Sequence, residues 1–251
     1  MDAPHKPRKR ELPIAQLVPN LMTIGAACAG LSAIRFGIDG EFKIAVQLIL
    51  LACVLDGLDG RVARMLKSES AIGAELDSLA DFLNFGVVPA LLIYLWAFGE
   101  IPNGGWIAAV IYAVCCLLRL ARFNIGNKAV EDAGPTEYFE GVPSPMGALL
   151  ALLPMFISFV WSKAPAMPPP VIAIYMIGVG LLMISRLPTW SLKSMTIYRE
   201  NVKLLVIGFV LTVALLLSYP WATLVALDLA YLAGIAWAWW RLKSRKRSGG
   251  S

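Results

Sequence analysis

Residues 56–81 read DGLDGRVARMLKSESAIGAELDSLAD, and this stretch places four aspartates on two otherwise apolar segments. Asp56 and Asp59 are three residues apart, and Asp77 and Asp81 are four residues apart, so each pair lies on one face of a helix. An ionised aspartate near the middle of a membrane costs about 2.5–3.5 kcal/mol on insertion scales. Four such groups therefore need partners or a function.

The rest of the chain has the composition of an integral membrane protein. Of its 251 residues, 58% are hydrophobic and 16% are charged, and the mean hydropathy is +0.69. A soluble domain carries about 25% charged residues, and a helix needs roughly 20 apolar residues to cross a bilayer. In lipid every backbone polar group must be satisfied internally, so we predict an all-α fold with about eight transmembrane helices. The predicted spans are 19–38, 43–66, 71–98, 105–125, 146–162, 170–187, 202–218 and 220–241.

The basic residues predict how these spans are oriented. With the N-terminus inside, nineteen of the 22 Lys and Arg fall on the cytoplasmic side, which leaves Arg35, Lys43 and Lys163 on the other. The positive-inside rule therefore predicts that both termini are cytoplasmic. We divide the chain into an arm at 1–12, a single transmembrane catalytic domain at 13–241 and a basic tail at 242–251. The basic balance indicates contact with anionic lipids rather than with nucleic acid.

The four aspartates are predicted to meet at one depth. The turn between the second and third spans falls near Lys67–Ser70, about eight residues after Asp59 and about seven before Asp77. At 1.5 Å per residue, both pairs lie roughly 10–16 Å from this turn on antiparallel helices. Arg61 and Arg64 offset only two of the four charges, so one or two divalent cations would complete the balance. Carboxylates without His or Cys favour hard ions, namely Mg²⁺, Mn²⁺ or Ca²⁺.

Small residues between the aspartates allow a close backbone approach. Three explanations are possible for Gly57, Gly60 and Gly73 and for the aspartates beside them. Tight helix packing explains the glycines alone, and an ion or proton pathway explains the aspartates alone. A metal-dependent site for a phosphate ester explains both, since Gly60 leaves space and Arg64, one turn further, offers a guanidinium to a phosphate.

At this point the stretch resembles the signature of the CDP-alcohol phosphotransferases. The pattern D-x2-D-G-x2-A-R-x8-G-x3-D-x3-D is matched at eight fixed positions: Asp56, Asp59, Gly60, Ala63, Arg64, Gly73, Asp77 and Asp81. The resemblance implies a helical membrane enzyme, usually a homodimer, in which an alcohol displaces CMP from a CDP-linked lipid. It also implies a six-helix core, a location in the inner (cytoplasmic) membrane, and a polar cavity that opens to the cytoplasm and holds two metal ions.

The same resemblance implies roles for individual residues. The four aspartates would hold two Mg²⁺ or Mn²⁺ ions, and Asp81 would also be the general base that deprotonates the attacking hydroxyl. The stretch VPNLMTIG at 18–25 is similar to the family's P-N-x-x-T start, although a proline at a helix start is also ordinary. The residues that would contact CDP-diacylglycerol are Asn20, Thr23, Gly60, Ala63, Arg64, Ser70 and Gly73.

We expect direct attack of the alcohol, because the motif offers no Ser, Cys or His as a covalent nucleophile. A two-step route through an aspartyl intermediate stays open.

Three further stretches resemble the branch of the family whose acceptor is L-serine: RLARFN (119–124), FEGVPSPMGA (139–148) and SRLPTWSLK (185–193). This resemblance extends over nearly the whole chain and includes two C-terminal helices beyond the six-helix core. Arg122 and Asn124 are the candidates for binding serine, since a guanidinium pairs well with a carboxylate, although Arg122 is equally explained as a positive-inside residue. Glycerol 3-phosphate or an inositol phosphate as the acceptor, and a cation transporter, remain alternatives.

Overall fold

The computed structural model describes residues 17–130, 139–161, 167–185, 188–189 and 202–248, and the predicted arm at 1–12 lies outside them. A π-helical segment, Phe82–Val87, joins the third and fourth helices. The α-helices are α1 (Val18–Ile38), α2 (Phe42–Leu66), α3 (Ala71–Asp81), α4 (Val88–Ala97), α5 (Pro102–Val130), α6 (Ser144–Trp161), α7 (Pro169–Ile184), α8 (Val202–Ser218) and α9 (Pro220–Ser248).

The prediction of an all-α membrane fold is confirmed. Five helices are long and apolar enough to cross a membrane: Val18–Ile38, Ala71–Ala97, Pro102–Ile125, Ser144–Trp161 and Pro220–Trp237. The apolar helices α7 and Val206–Ser218 are shorter. Helix α2 has 25 residues, which is long enough, but it carries the charges of the aspartate stretch. Within the described residues these make eight helical units, as the sequence predicted. The side of the membrane on which the termini lie stays a prediction.

The third predicted span, 71–98, is not one continuous α-helix. The π-helical segment interrupts it and holds the buried residues Asn84, Phe85 and Gly86. A π-bulge widens one turn of a helix and is frequent at functional sites. Here the carbonyl of Phe85 accepts a hydrogen bond from the hydroxyl of Tyr112 at 2.8 Å, which ties the widened turn to α5.

Two helices run further than predicted. Helix α5 continues to Val130, and α9 continues to Ser248, so most of the predicted tail at 242–251 is helical. The hydropathy pattern ends where the basic residues begin, but Lys and Arg near a helix C-terminus interact favourably with the helix dipole. The helix therefore does not have to end at the predicted membrane boundary.

A short antiparallel pair of strands joins two segments that lie between the predicted spans. Strand β1 (Phe139–Glu140) pairs with β2 (Pro188–Thr189), with Phe139 opposite Thr189. Two residues are too few for an alternating pattern, so this pair of strands could not be predicted from the sequence.

Small residues bring the helices close together. Ala26, Ala29 and Ala33 are buried along α1, and an added Cβ at Gly180 of α7 would lie 3.3 Å from the Cα of Tyr112 on α5. Helix association in lipid depends on van der Waals packing, which such close approaches increase. Helix α6 is buried over most of its length, whereas α8 exposes most of its described side chains, as a lipid-facing helix would.

Gly141 holds the turn that leads into α6. Its φ is +83°, and an added Cβ would lie 2.6 Å from the carbonyl oxygen of Met183. We expect Gly141→Ala to lower the free energy of unfolding by about 1–3 kcal/mol, because it adds a left-handed alanine and a backbone clash. The measurement is the Tm of the purified protein in detergent.

Gly40→Ala is the matched control for this substitution. Gly40 has a similar φ of +81°, but nothing in the described part of the chain lies within 4 Å of an added Cβ. It should therefore lower Tm less than Gly141→Ala does. Equal losses of Tm would contradict a role for the contact with Met183.

Candidate functional site

A helical hairpin carries the four aspartates. Helix α2 ends at Leu66, and Lys67 follows with a φ of 51° in the left-handed region. Ser70 caps α3, and its Oγ accepts a hydrogen bond from the N–H of Gly73 at 3.0 Å. Both helices pack on α1 but make few direct backbone contacts with each other. Space therefore remains between α2 and α3 for the side chains that project from them.

Three of the aspartates converge in this space. One carboxylate oxygen from each of Asp56, Asp59 and Asp77 lies within 4.8 Å of the others. Asp59 is buried, with 3% of its surface exposed, and the other two are half-buried. The ion pair found among the described residues, Arg35–Asp39, is elsewhere. Three like charges at this distance repel one another, and an all-carboxylate set fits a hard divalent cation.

Asp81 lies beside the cluster, at the junction of α3 and the π-helical segment. The side chains of Asp56, Asp77 and Arg119 lie within electrostatic range of its carboxyl group. Its Oδ1 is buried and has no hydrogen-bond partner in the described part of the chain. Neighbouring carboxylates repel one another unless a proton or a cation lies between them. The carboxylate oxygens thus fit a metal centre, and Oδ1 of Asp81 remains available to another group.

The start of α1 reaches the same cluster. The hydroxyl of Thr23 lies 2.6 Å from Oδ2 of Asp59 and 3.1 Å from the carbonyl of Pro19, and the shorter contact marks Asp59 as its acceptor. The N–H of Gly60 donates to Oδ1 of the same carboxylate at 2.6 Å. Hydrogen bonds of this kind orient a carboxylate that binds a metal.

The residues predicted to bind CDP-diacylglycerol divide into two groups. Asn20 lies beside Gly73, because an added Cβ there would be 2.9 Å from the amide oxygen of Asn20. The N–H of Gly73 donates a hydrogen bond to Ser70, and the hydroxyl of Thr23 donates one to Asp59. In contrast, no atom of the described residues lies within 4 Å of an added Cβ at Gly60, Arg64 is exposed, and Ala63 is half-buried. The second group faces space that a ligand can fill.

The two residues predicted to bind serine contact the protein itself. Arg122 donates a hydrogen bond to the carbonyl of Ile184 at the end of α7, at 3.0 Å. Asn124 donates from Nδ2 to Oγ of Ser78, also at 3.0 Å, and so lies next to the aspartate helix α3. Asn124 is thus close to the site, whereas Arg122 connects α5 to α7.

Sequence reasoning did not single out Arg119, which lies within electrostatic range of the predicted base. It donates a hydrogen bond to Ser144 at the start of α6, and its charge acts on Asp81. Its guanidinium carbon lies 6.0 Å from the centre of the Phe123 ring. The sequence offered one signal, the pair of arginines in RLARFN, but their spacing alone could not decide which of them faces the site.

Comparison with known proteins agrees with this arrangement. The family described as CDP-alcohol phosphatidyltransferase matches residues 16–240. A CDP-diacylglycerol–serine O-phosphatidyltransferase of Mycobacterium leprae is 37% identical over 239 residues, which cover 93% of this chain and 78% of that protein. Proteins of the same name from Bacillus subtilis and Helicobacter pylori are 35% and 32% identical, over 68% and 70% of this chain and 88% and 76% of their own lengths.

The chain belongs to the CDP-alcohol phosphatidyltransferase family, as the aspartate signature predicted. It is an integral membrane enzyme, and the family is in general metal-dependent. This membership favours the enzyme over the cation transporter as the explanation of the aspartates.

Proposed function

We propose that this protein transfers a phosphatidyl group from CDP-diacylglycerol to the hydroxyl of L-serine and releases CMP. The observation that carries the proposal is the cluster of Asp56, Asp59 and Asp77 beside the open space at Gly60, on a hairpin with the complete family signature. The names of the similar proteins support serine as the acceptor.

The four aspartates are the proposed ligands of two divalent ions, Mg²⁺ or Mn²⁺. When bound, such ions neutralise the pyrophosphate and stabilise the charge that develops during displacement. The protein's own contribution is to fix the ligands. Thr23 and the N–H of Gly60 orient Asp59, and the α2–α3 hairpin sets the distance from it to Asp77.

Asp81 is the proposed general base. A serine hydroxyl is almost fully protonated at neutral pH, so a positioned base should accelerate its attack about 10²–10⁴-fold. The buried Oδ1 of Asp81 has no partner among the described residues and can accept this proton. The oxygen of serine then attacks the phosphorus that bears the diacylglycerol, and the bond to CMP breaks.

Asn20, Thr23, Gly60, Ala63, Arg64, Ser70 and Gly73 form the proposed CDP-diacylglycerol site. The exposed guanidinium of Arg64 suits a phosphate, and Gly60 leaves space for the nucleotide. Ser70, Gly73 and Thr23 act through the hairpin and through Asp59.

The open space at Gly60 gives a test of this site. We expect Gly60→Leu to raise the KM for CDP-diacylglycerol at least about tenfold, since a loss of roughly 1.4 kcal/mol of binding is tenfold. The Tm should stay near that of the wild type, because the new side chain meets no protein atom at its Cβ. Gly208→Leu on exposed α8, also without neighbours, is the control and should change neither value. A normal KM for Gly60→Leu would place the nucleotide elsewhere.

The acceptor is tested by offering one alcohol at a time. Purified protein with CDP-diacylglycerol and Mn²⁺ or Mg²⁺ should release CMP with L-serine, and little with glycerol 3-phosphate or an inositol phosphate. Release with one of the other acceptors alone would keep the chemistry and overturn serine. No release with any of them, together with ion flux in vesicles, would favour the transporter.

We further propose that the site opens to the cytoplasm, with both termini on that side of the inner membrane, and that the protein is a homodimer. The distribution of Lys and Arg supports the orientation. Labelling of single engineered cysteines at positions 67 and 100 in intact cells tests it. Position 67 should react only after the membrane is permeabilised.

A further inference from the structure

Helix α9 turns a polar face towards the core. Trp221 at its start packs on α6, with its ring centroid 4.8 Å from that of Phe159. Asp228 is buried, with 1% of its surface exposed, and Leu224 on the same face is 5% exposed. Tyr231 follows on this face, three residues after Asp228, and packs against the buried core. A helix outside the six-helix core thus presents polar side chains to the interior.

Tyr231 lies close to Arg119. The two side chains act on each other electrostatically, and Arg119 in turn acts on Asp81. Arg119 also donates a hydrogen bond to Ser144 at the start of α6, the helix on which α9 packs. Arg119 is thus anchored at the start of α6, within electrostatic range of both Tyr231 on α9 and the proposed base.

Each of these three residues has a buried polar atom without a hydrogen-bond partner in the described part of the chain. The atoms are Oδ1 of Asp81, Nε of Arg119 and the hydroxyl oxygen of Tyr231. Leaving a buried donor or acceptor unpaired costs about 1–3 kcal/mol. Three such atoms, on Arg119 and on two side chains within its electrostatic range, indicate that a polar ligand completes them. Such a ligand must carry an acceptor for Nε of Arg119 and for the hydroxyl of Tyr231. It must also carry a proton donor for the carboxylate of Asp81.

We propose that Arg119 and Tyr231 bind the carboxylate of the acceptor amino acid beside Asp81, so that α9 forms part of the active site. A guanidinium and a phenol hydroxyl both donate to a carboxylate, and the serine hydroxyl is then directed to Asp81. This inference rests on the proposed function and deepens it. It assigns the serine carboxylate to Arg119 rather than to Arg122, whose NH1 donates to the carbonyl of Ile184.

Tyr231→Phe tests this assignment, because it removes one hydroxyl and keeps the ring. A hydrogen bond to a charged group contributes about 1.5–3 kcal/mol, so we expect the KM for serine to rise about 10–100-fold. The KM for CDP-diacylglycerol should not change. Tyr219→Phe is the control, since Tyr219 is 68% exposed, and it should leave both values unchanged.

L-Serinamide separates a binding role from a structural one. It has an amide in place of the carboxylate of serine but keeps the hydroxyl and the ammonium. In kcat/KM, the wild type should strongly prefer serine to L-serinamide. This preference should fall about tenfold or more in Tyr231→Phe and in Arg119→Lys, because each variant loses a donor to the carboxylate. Equal losses for both acceptors, or an unchanged KM for serine, would overturn the proposal. If the proposed function itself were wrong, the result would be different, because the wild type would then release no CMP with serine.

Discussion

Asp81→Asn is expected to lower kcat for CMP release with serine about 10²–10⁴-fold, the usual contribution of a positioned general base. The amide keeps the size of the side chain but cannot accept a proton from the serine hydroxyl. Because Oδ1 of Asp81 has no partner among the described residues, no hydrogen bond to that oxygen is lost. We therefore expect Tm to stay at or above the wild-type value. Single-turnover CMP release gives the rate of the chemical step.

Glu75→Gln is the matched control for Asp81→Asn. Glu75 lies on the same helix and is exposed, so the loss of its charge changes neither the aspartate cluster nor its packing. Its kcat should remain within about twofold of the wild type, as expected of a surface change. If Asp81→Asn released CMP at a rate near that of Glu75→Gln, Asp81 could not be the base.

Local sequence pattern was sufficient to predict the aspartate hairpin. The spacings of Asp56 with Asp59 and of Asp77 with Asp81 fix one face on each helix, and the turn near Lys67–Ser70 fixes their depth. Both features depend only on the helical period and rise. The structure brings three of the four into one cluster, with the fourth beside it.

The acceptor side of the site depends on contacts that the sequence does not contain. Arg119 and Arg122 are three residues apart and look alike in the sequence, yet one donates to Ser144 and the other to Ile184. Tyr231 is more than a hundred residues from Arg119, so only the packing of α9 brings them together. The π-helical turn at Phe82–Val87 was missed for a related reason, since a hydropathy pattern does not register one widened turn.

The hydrogen bonds that Asp59 accepts explain why Thr23 and Asp59 belong to one site. Two donors, from Thr23 and Gly60, occupy one lone pair on each carboxylate oxygen. Each oxygen keeps a further lone pair for a cation. The P-N-x-x-T start and the aspartate signature are therefore one site, although they lie on different helices.

Asp59→Ala is expected to abolish CMP release and the binding of Mn²⁺ while leaving the metal-free protein at least as stable. Removing one of three mutually repelling carboxylates relieves repulsion, and the hydroxyl of Thr23 can still donate to the carbonyl of Pro19 at 3.1 Å. An ion whose free concentration is 100 times its Kd stabilises the protein that binds it by about 2.7 kcal/mol. Mn²⁺ should therefore raise the Tm of the wild type and not that of Asp59→Ala.

Thr23→Val gives the graded comparison for Asp59→Ala. It keeps all the carboxylates but removes the hydroxyl that orients Asp59, and loss of such a supporting contact typically costs 10–100-fold in metal affinity or activity. Titration of Mn²⁺, followed by the loss of the free-ion signal in electron paramagnetic resonance, should rank the affinities as wild type, then Thr23→Val, then Asp59→Ala. Wild-type Mn²⁺ affinity in Asp59→Ala would mean that the cluster of Asp56, Asp59 and Asp77 is not the metal site. The ranking tests the hairpin and the start of α1 together, because Thr23→Val can weaken Mn²⁺ binding only if the hydroxyl of Thr23 orients Asp59.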